Sequence, residues 1–246
     1  MQVAAVAPDG CELHLECPTS LAAAWTNRSI LEGSTYPAIP FLEPVTTIFD
    51  VGANCGATSL FLAHHFPGAT IHAFEPGRAA HELASANLAH LPTVTVHHLG
   101  LHSSNQRAEL AVPEDLNGSV LKRSSTDTIE VVELRSARDW VREQAIDAID
   151  ILKVDVEGCE LAVLESLEPW LGRVQVVYVE YESRQDRRAI DALLAPSHEL
   201  YLVHGILDQG ECTYVRADLL DDGPAVLAHL GEIVAADLRA RAGTGQ

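Results

Sequence analysis

The feature that most constrains the fold is the alternation of short apolar, β-branched segments with helical segments from residue 45 onward. Candidate strands cover residues 45–51, 69–74, 93–98, 148–154 and 174–179, and candidate helices cover 57–65, 78–90, 159–171 and 186–194. This alternation predicts an α/β domain around a doubly wound, mostly parallel sheet. Ligands of such sheets bind at the carboxyl ends of the strands, so residues at those ends are the first candidates for a functional site.

The segments around this core divide the chain further. Residues 1–44 form a lead-in with an alternating strand pattern at 10–17, residues 45–218 form the main domain, and residues 219–246 form a C-terminal helix and tail. A polar insertion at about 100–136 contains alternating runs at 108–112 and 128–134, which predict a hairpin with its turn at Asn117-Gly118-Ser119. Runs at 199–203 and 212–216 flank another turn and predict an antiparallel hairpin that closes the sheet.

Charge and cysteine usage exclude several classes of partner. The chain carries 35 acidic and 16 basic residues, a net charge of −19. Such a field repels phosphate backbones and anionic headgroups, so we expect neither nucleic acid nor membrane as a partner. No apolar stretch is long enough to span a bilayer, and no targeting signal is visible. The five cysteines form no CxxC pair, and we expect reduced thiols in a cytoplasmic protein.

The first strand leads into a glycine turn, Asp50-Val-Gly52-Ala-Asn54-Cys-Gly56. Such a turn lets backbone approach a ligand closely and presents N–H groups at a helix N-terminus. The three-glycine fingerprint of dinucleotide-binding folds is absent. Asp50 would repel a pyrophosphate but can accept hydrogen bonds from an amino-bearing ligand.

Carboxylates stand at two further strand ends. Glu75 follows the second strand, where a single carboxylate can accept hydrogen bonds from both ribose hydroxyls of a nucleoside. The fourth strand runs Ile-Leu-Lys153-Val-Asp155-Val-Glu157-Gly. A lysine inside a covered strand needs a carboxylate partner, and we expect Asp155 or Glu157 nearby, or Glu180 at the end of the fifth strand, to supply it.

These segments together resemble the FkbM family of S-adenosylmethionine-dependent methyltransferases. The resemblance rests on the glycine turn, on Ala-Phe-Glu75-Pro, on Leu-Lys153-Val-Asp155-Val-Glu157-Gly-Cys-Glu and on Val-Glu180-Tyr, in this order across residues 45–216. Tyr36 is similar to a tyrosine often found ahead of the first strand in that family. The segment Leu134-Arg-Ser departs from the Leu-Asp-Asp that family members often carry before the fourth strand.

The resemblance implies a class I methyltransferase fold, Rossmann-like, with a seven-stranded sheet and an antiparallel last strand. It implies that Gly52 and Gly56 pack on the methionine part of S-adenosylmethionine and that Glu75 binds its ribose. The candidate cofactor-binding residues are Asp50, Gly52, Asn54, Gly56, Glu75, Leu101 and Asp155.

The expected reaction is O-methylation of a hydroxyl on a small molecule or sugar, in natural-product or polysaccharide biosynthesis. The candidate catalytic residues are Asp155, Glu157, Lys153 and His204. We expect no bound metal; if a divalent cation is used, Asp155, Glu157 and Glu180 are its candidate ligands. N- or carboxyl-methylation on the same scaffold, a nicotinamide-dependent oxidoreductase and a non-catalytic nucleotide-binding module remain as alternatives.

Overall fold

The computed structural model describes residues 1–113 and 128–243, with side chains up to residue 235. The strands are β1 (Gln2–Val6), β2 (Glu12–Glu16), β3 (Thr47–Val51), β4 (Thr70–Phe74), β5 (Val94–His97), β6 (Gly100–His102), β7 (Gln106–Val112), β8 (Thr128–Ser136), β9 (Ile151–Val154), β10 (Val176–Tyr181), β11 (His198–Gly205) and β12 (Gly210–Arg216). The helices are α1 (Leu21–Leu31), α2 (Ala57–His65), α3 (Arg78–Leu88), α4 (Ala137–Glu143), α5 (Glu160–Ser166), α6 (Glu168–Leu171), α7 (Arg184–Leu194) and α8 (Gly223–Gly243).

A seven-stranded sheet organises the domain, in the order β11-β12-β10-β9-β3-β4-β5. Neighbouring strands from β10 to β5 are parallel, whereas β12 is antiparallel to both β10 and β11. The strand order reverses between β3 and β9, and this is where a doubly wound sheet opens a crevice for a ligand. The prediction of a mostly parallel sheet closed by an antiparallel last strand is confirmed.

Apolar side chains cover both faces of the central strands. Ile48 of β3 faces a core that includes Phe61 of α2, and its neighbour Phe49 faces the opposite core with Trp140 of α4. All four side chains are almost completely buried. The β-branched and aromatic composition of these strands follows from this double burial, because most residues along them meet apolar surface.

The lead-in contains more structure than its single predicted strand. β2 pairs with β1 as an antiparallel hairpin, and α1 follows with its N-terminus capped by the Ser20 hydroxyl, which accepts the Ala23 N–H. Leu15 and Leu31 are buried in the same core as Phe61. The lead-in therefore packs on the face of the sheet that carries α2.

The insertion forms a small sheet of its own. Its two arms, β7 and β8, pair antiparallel over residues 106–112 and 128–134, and the three-residue strand β6 adds to β8 in parallel. The turn predicted at Asn117-Gly118-Ser119 lies outside the described residues. Leu110 and Leu134 are buried in a small apolar cluster within the insertion.

Two further predictions can be compared with the structure. The helix predicted over residues 159–171 is wrong as one continuous element, because it divides into α5 and α6 where Pro169 enters the first turn of α6. All five cysteines lie in the described residues, and none is in a disulfide. Among the described helices, none combines the length and the apolar character that crossing a bilayer requires.

Candidate active site

A cavity of about 200 Å³ opens at the carboxyl ends of β3, β4 and β9. α1 and the insertion contribute further walls. Its lining includes Ala22, Ala23, Thr26, Asn27, Val51, Gly52, Asn54, Glu75, Pro76, Leu101, His102, Leu110, Leu134, Lys153, Asp155 and Glu157. The cavity thus brings together most of the candidate residues from three separate strand ends.

The glycine turn between β3 and α2 allows a close approach of two backbones. Gly52 has a φ of 83°, and a Cβ built on it would lie 1.8 Å from the carbonyl oxygen of Asp155. Only glycine can therefore occupy this position without displacing the segment that follows β9. Gly56, with a φ of 91°, begins α2 and packs against Leu88 of α3 instead of lining the cavity.

Four N–H groups of this turn are engaged within the protein, so the turn does not offer these four to a ligand. Gly52 and Ala53 both donate to the carbonyl of Phe74, and Gly56 donates to the carbonyl of Ala53. Asn54 donates its N–H to Oε2 of Glu75 at 2.9 Å. These bonds hold the turn against the end of β4 and fix its shape before a ligand binds.

Glu75 is a buried carboxylate on the cavity wall. Its Oε1 accepts the N–H of Gly77 at 2.8 Å, and its Oε2 accepts the N–H of Asn54. Burial raises the pKa of Glu75 to about 7, against the opposing effect of these two donors. Each oxygen keeps a lone pair, so the side chain can still accept hydrogen bonds from a ligand.

Lys153 lies between two carboxylates. Its Nζ is 3.4 Å from Oδ1 of Asp50 and 3.6 Å from Oδ2 of Asp155, and it donates to the carbonyl of Gly52 at 2.6 Å. The β3–β9 register places Asp50 directly beside Lys153. Burial alone would lower the pKa of Lys153, but the charges of Asp155 and Asp50 hold it above its usual value.

Asp50 was predicted to face a ligand, and the structure places it elsewhere. The residue is completely buried, and its Oδ2 accepts the hydroxyl of Ser59 at 2.7 Å. It is not among the residues that line the cavity. Asp50 therefore lies behind the cavity wall and acts as the counterion that keeps Lys153 charged.

Tyr36 connects the lead-in to the end of β9. Its hydroxyl donates to Oδ2 of Asp155 at 2.9 Å, and its ring packs edge-on against Tyr178 of β10. The ring also lies 5.8 Å from Nζ of Lys153. Burial, followed by the charge of Asp155, raises the pKa of Tyr36 well above its usual value, so the phenol stays protonated and donates to Asp155.

The carboxylates of Asp155, Glu157 and Glu180 gather near the carboxyl ends of β9 and β10, with one oxygen of each within 4.8 Å of the others. Burial, together with the charges of Asp155 and Glu157, raises the pKa of Glu180 well above its usual range. Glu180 therefore keeps its proton at neutral pH. The three carboxylates could hold a divalent cation only after Glu180 has lost its proton.

His204 stands apart from the other candidates. The sequence placed it just beyond a strand, but it lies within β11, the exposed edge strand, and it pairs in register with Glu211 of β12. It is solvent-exposed and does not line the cavity.

Other residues that shape the site were missed by the motifs. Asn27 of α1 lines the cavity and accepts the thiol of Cys55 at 3.0 Å. Glu160, which is buried, accepts the N–H groups of Val156 and Gly158 and so fixes the segment after β9. For Asn27, the sequence offered one signal, which is the serine cap and alanine-rich composition of α1.

Comparison with known proteins agrees with this geometry. The methyltransferase FkbM domain matches residues 50–215. Methyltransferase sdnD of Sordaria araneosa is 34% identical over 194 residues, which cover 64% of this chain and 73% of that protein. The 2-O-methyltransferase NoeI of Sinorhizobium fredii is 27% identical over 181 residues, which cover 64% of this chain and 74% of that protein.

A solved structure supports the fold independently. The putative methyltransferase yhhF from Escherichia coli superposes with a TM-score of 0.51 and 15% identity, over 88% of this chain and 98% of that one. The sheet order and the antiparallel β12 are those of the class I methyltransferase fold. The chain belongs to the FkbM family of S-adenosylmethionine-dependent methyltransferases.

Proposed function

We propose that this enzyme transfers a methyl group from S-adenosylmethionine to a hydroxyl on a small molecule or sugar. The observation that carries the proposal is the Asp155 carboxylate, which lies on the cavity wall and is held by Tyr36 and Lys153. A carboxylate fixed in this way can orient an acceptor hydroxyl and receive its proton. The relative NoeI is a 2-O-methyltransferase, which supports transfer to oxygen.

Different residues of the cavity would contact the cofactor and the acceptor. Glu75 would accept the ribose hydroxyls, Leu101 would pack on the base, and Gly52 and Asn54 would border the methionine part of the cofactor. The bound cofactor supplies a methyl group already activated on a sulfonium. The chain therefore has only to align an acceptor oxygen with that methyl and to take up one proton.

The acceptor side would be formed by α1, the insertion and the segment after β9. Thr26, Leu110 and Leu134 line the cavity together with Glu157. Glu157 has a φ of 57°, an uncommon conformation that directs the segment beyond Asp155. These walls mix apolar and acidic surface, which suits a hydroxylated acceptor.

Product mass gives the direct test of this function. The protein is incubated with S-adenosylmethionine and a panel of sugars, polyols, phenols, amines and carboxylic acids, and products are examined for the gain of one CH₂ unit. Fragmentation that places the methyl on oxygen of a hydroxyl supports the proposal, and Asp155→Asn should then turn over much more slowly at unchanged cofactor affinity. Methylation confined to amines or carboxylates contradicts it.

The binding of S-adenosylhomocysteine should strengthen as the pH rises through the pKa of Glu75. The carboxylate accepts two hydroxyls better than the acid does, and its pKa in the free protein is about 7. Raising the pH from 6 to 8 should therefore tighten binding by roughly tenfold, measured by titration calorimetry.

Glu75→Gln tests whether Glu75 causes this dependence. The amide cannot ionise, so its affinity should be the same at both pH values and weaker than wild type at pH 8 by about 1.5–3 kcal/mol. The folding stability of the free protein depends on pH in the opposite direction. Because the folded pKa exceeds the usual 4.5, the contribution of Glu75 to the stability of the free protein declines as the pH rises from about 4.5 to 7. An unchanged pH slope in Glu75→Gln would refute the assignment to the ribose.

We expect methyl transfer to proceed without a divalent cation. Lys153 compensates Asp155, and the proton retained by Glu180 lowers the charge of the acidic cluster, so a cation is not needed to hold these groups together. Turnover in EDTA should equal turnover in added magnesium. Activity that is lost on chelation and restored by magnesium would instead identify Asp155, Glu157 and Glu180 as ligands.

A further inference from the structure

A second group of metal-ligating side chains lies on the surface, away from the cavity. Asp9 and Cys11 belong to the turn between β1 and β2, and His64 lies in the last turn of α2. One ligand atom from each residue lies within 4.8 Å of the other two. The group combines a carboxylate oxygen, a thiol sulfur and an imidazole nitrogen, which is a donor set typical of zinc.

The backbone of the turn brings the two hairpin ligands to one side. Gly10 has a φ of 89°, and its N–H donates to the carbonyl of Ala7 at 2.8 Å. Oδ1 of Asp9 accepts the N–H of Cys11 at 3.0 Å, which orients the carboxylate beside the thiol. Asp9 and Cys11 are exposed, and the side chain of His64 is 23% exposed, so an ion can reach the group from solvent.

We propose that Asp9, Cys11 and His64 bind one zinc ion, with water as the fourth ligand. Nε2 of His64 now lies 2.6 Å from Oδ2 of Asp9. Ligands of a tetrahedral zinc, bonded at about 2.0–2.3 Å, lie roughly 3.3–3.7 Å apart. Zinc would therefore replace this hydrogen bond, with the two ligand atoms moving apart by about 0.7–1.1 Å.

Coordination would be accompanied by release of one proton. The Sγ–Zn bond forms as the Cys11 thiol loses its proton to solvent, and His64 coordinates as the neutral imidazole through Nε2. The net charge of −19 favours a divalent cation at the surface in general, but it does not select this position. The position is selected by its combination of a carboxylate, a thiol and an imidazole.

The ion would fasten the lead-in to the main domain. The β1–β2 hairpin is joined to α2 at this end by the Asp9–His64 contact, while Gly56 of the glycine turn caps the other end of α2. A zinc bridge between Cys11 and His64 would replace one exposed hydrogen bond by metal–ligand bonds. The expected result is a higher melting temperature and slower amide exchange in residues 7–11 and 62–66.

The test uses the full chain, stripped of metal and titrated with zinc by calorimetry and with cobalt by absorption. We expect one equivalent of zinc, and a thiolate-to-cobalt charge-transfer band that Cys11→Ser abolishes. Cys11→Ser and His64→Ala should each weaken zinc binding by more than roughly tenfold, the scale on which even an outer partner of a metal ligand acts. Cys159→Ser, beside the acidic cluster, and His90→Ala, an exposed histidine, serve as matched controls with unchanged affinity.

Two outcomes would overturn the proposal. One is zinc binding of equal strength in wild type, Cys11→Ser and His64→Ala. The other is a charge-transfer band that survives Cys11→Ser and disappears in Cys159→Ser, which would place the ion at the cavity. If either ligand variant melts early without metal, Asp9→Asn replaces it, because this change keeps the shape of an exposed side chain. Equal affinity for Asp9→Asn and wild type then counts against the site.

Discussion

Replacing Lys153 by methionine is expected to lower the free energy of unfolding by about 3–5 kcal/mol. Lys153 is 2% exposed, and the substitution would leave the completely buried carboxylate of Asp50 with the Ser59 hydroxyl as its remaining polar contact. Loss of one partner of a buried ion pair is costly because the other charge stays uncompensated. Urea denaturation followed by circular dichroism measures the change.

Two variants separate this effect from lost packing. Asp155→Asn leaves Lys153 paired with Asp50, and the Asp155 side chain is 30% exposed, so we expect a much smaller loss. The double variant Asp50→Asn with Lys153→Met removes both buried charges and should recover much of the stability lost in Lys153→Met. Equal, small losses in all variants would mean that the pair is not buried in solution.

Gly52→Ala is expected to abolish cofactor binding and to destabilise the fold. The new Cβ would lie 1.8 Å from the carbonyl oxygen of Asp155 and 2.9 Å from its carbonyl carbon, so one of the two backbones must move. The φ of 83° adds about 1–2 kcal/mol of strain for a residue with a side chain. Calorimetric titration with S-adenosylhomocysteine and thermal melting report the two effects.

Gly68→Ala provides the matched control. Gly68 precedes β4, has a φ outside the left-handed region, and has no atom within 4 Å of a built Cβ. The variant should bind cofactor and melt as wild type does. A Gly52→Ala protein that binds cofactor with full affinity would show that the turn and the Asp155 segment are not in contact.

The sequence predicted the architecture well because strands covered on both faces consist almost entirely of apolar and β-branched residues. β3, β4, β9 and β10 are of this kind. α1 and β6 were not predicted, for different reasons. α1 is alanine-rich and has little amphipathic contrast, and β6 is only three residues long, so neither shows a period that can be read from the sequence.

The site was harder to predict, because its contacts depend on register. Lys153 was expected to pair with Asp155, Glu157 or Glu180, and the structure confirms contact with Asp155 but adds Asp50. Asp50 and Lys153 are 103 positions apart in the chain and come together only because they lie side by side in β3 and β9, a relation that no local pattern reveals. Tyr36 reaches Asp155 in the same non-local way.

The packing of the lead-in determines at which residue an expressed fragment of this protein should begin. A fragment that begins near residue 50, where the family domain begins, would omit Tyr36 and the carbonyl of Pro37 that accepts the Tyr178 hydroxyl. It would also strip Leu31 and Ile39 from the core around Phe61, and so expose apolar surface and leave the Asp155 carboxylate without its phenol. The match to the family domain begins at residue 50, but the packing of the core extends back to β1, so fragments should start at the first residue of β1 or before it.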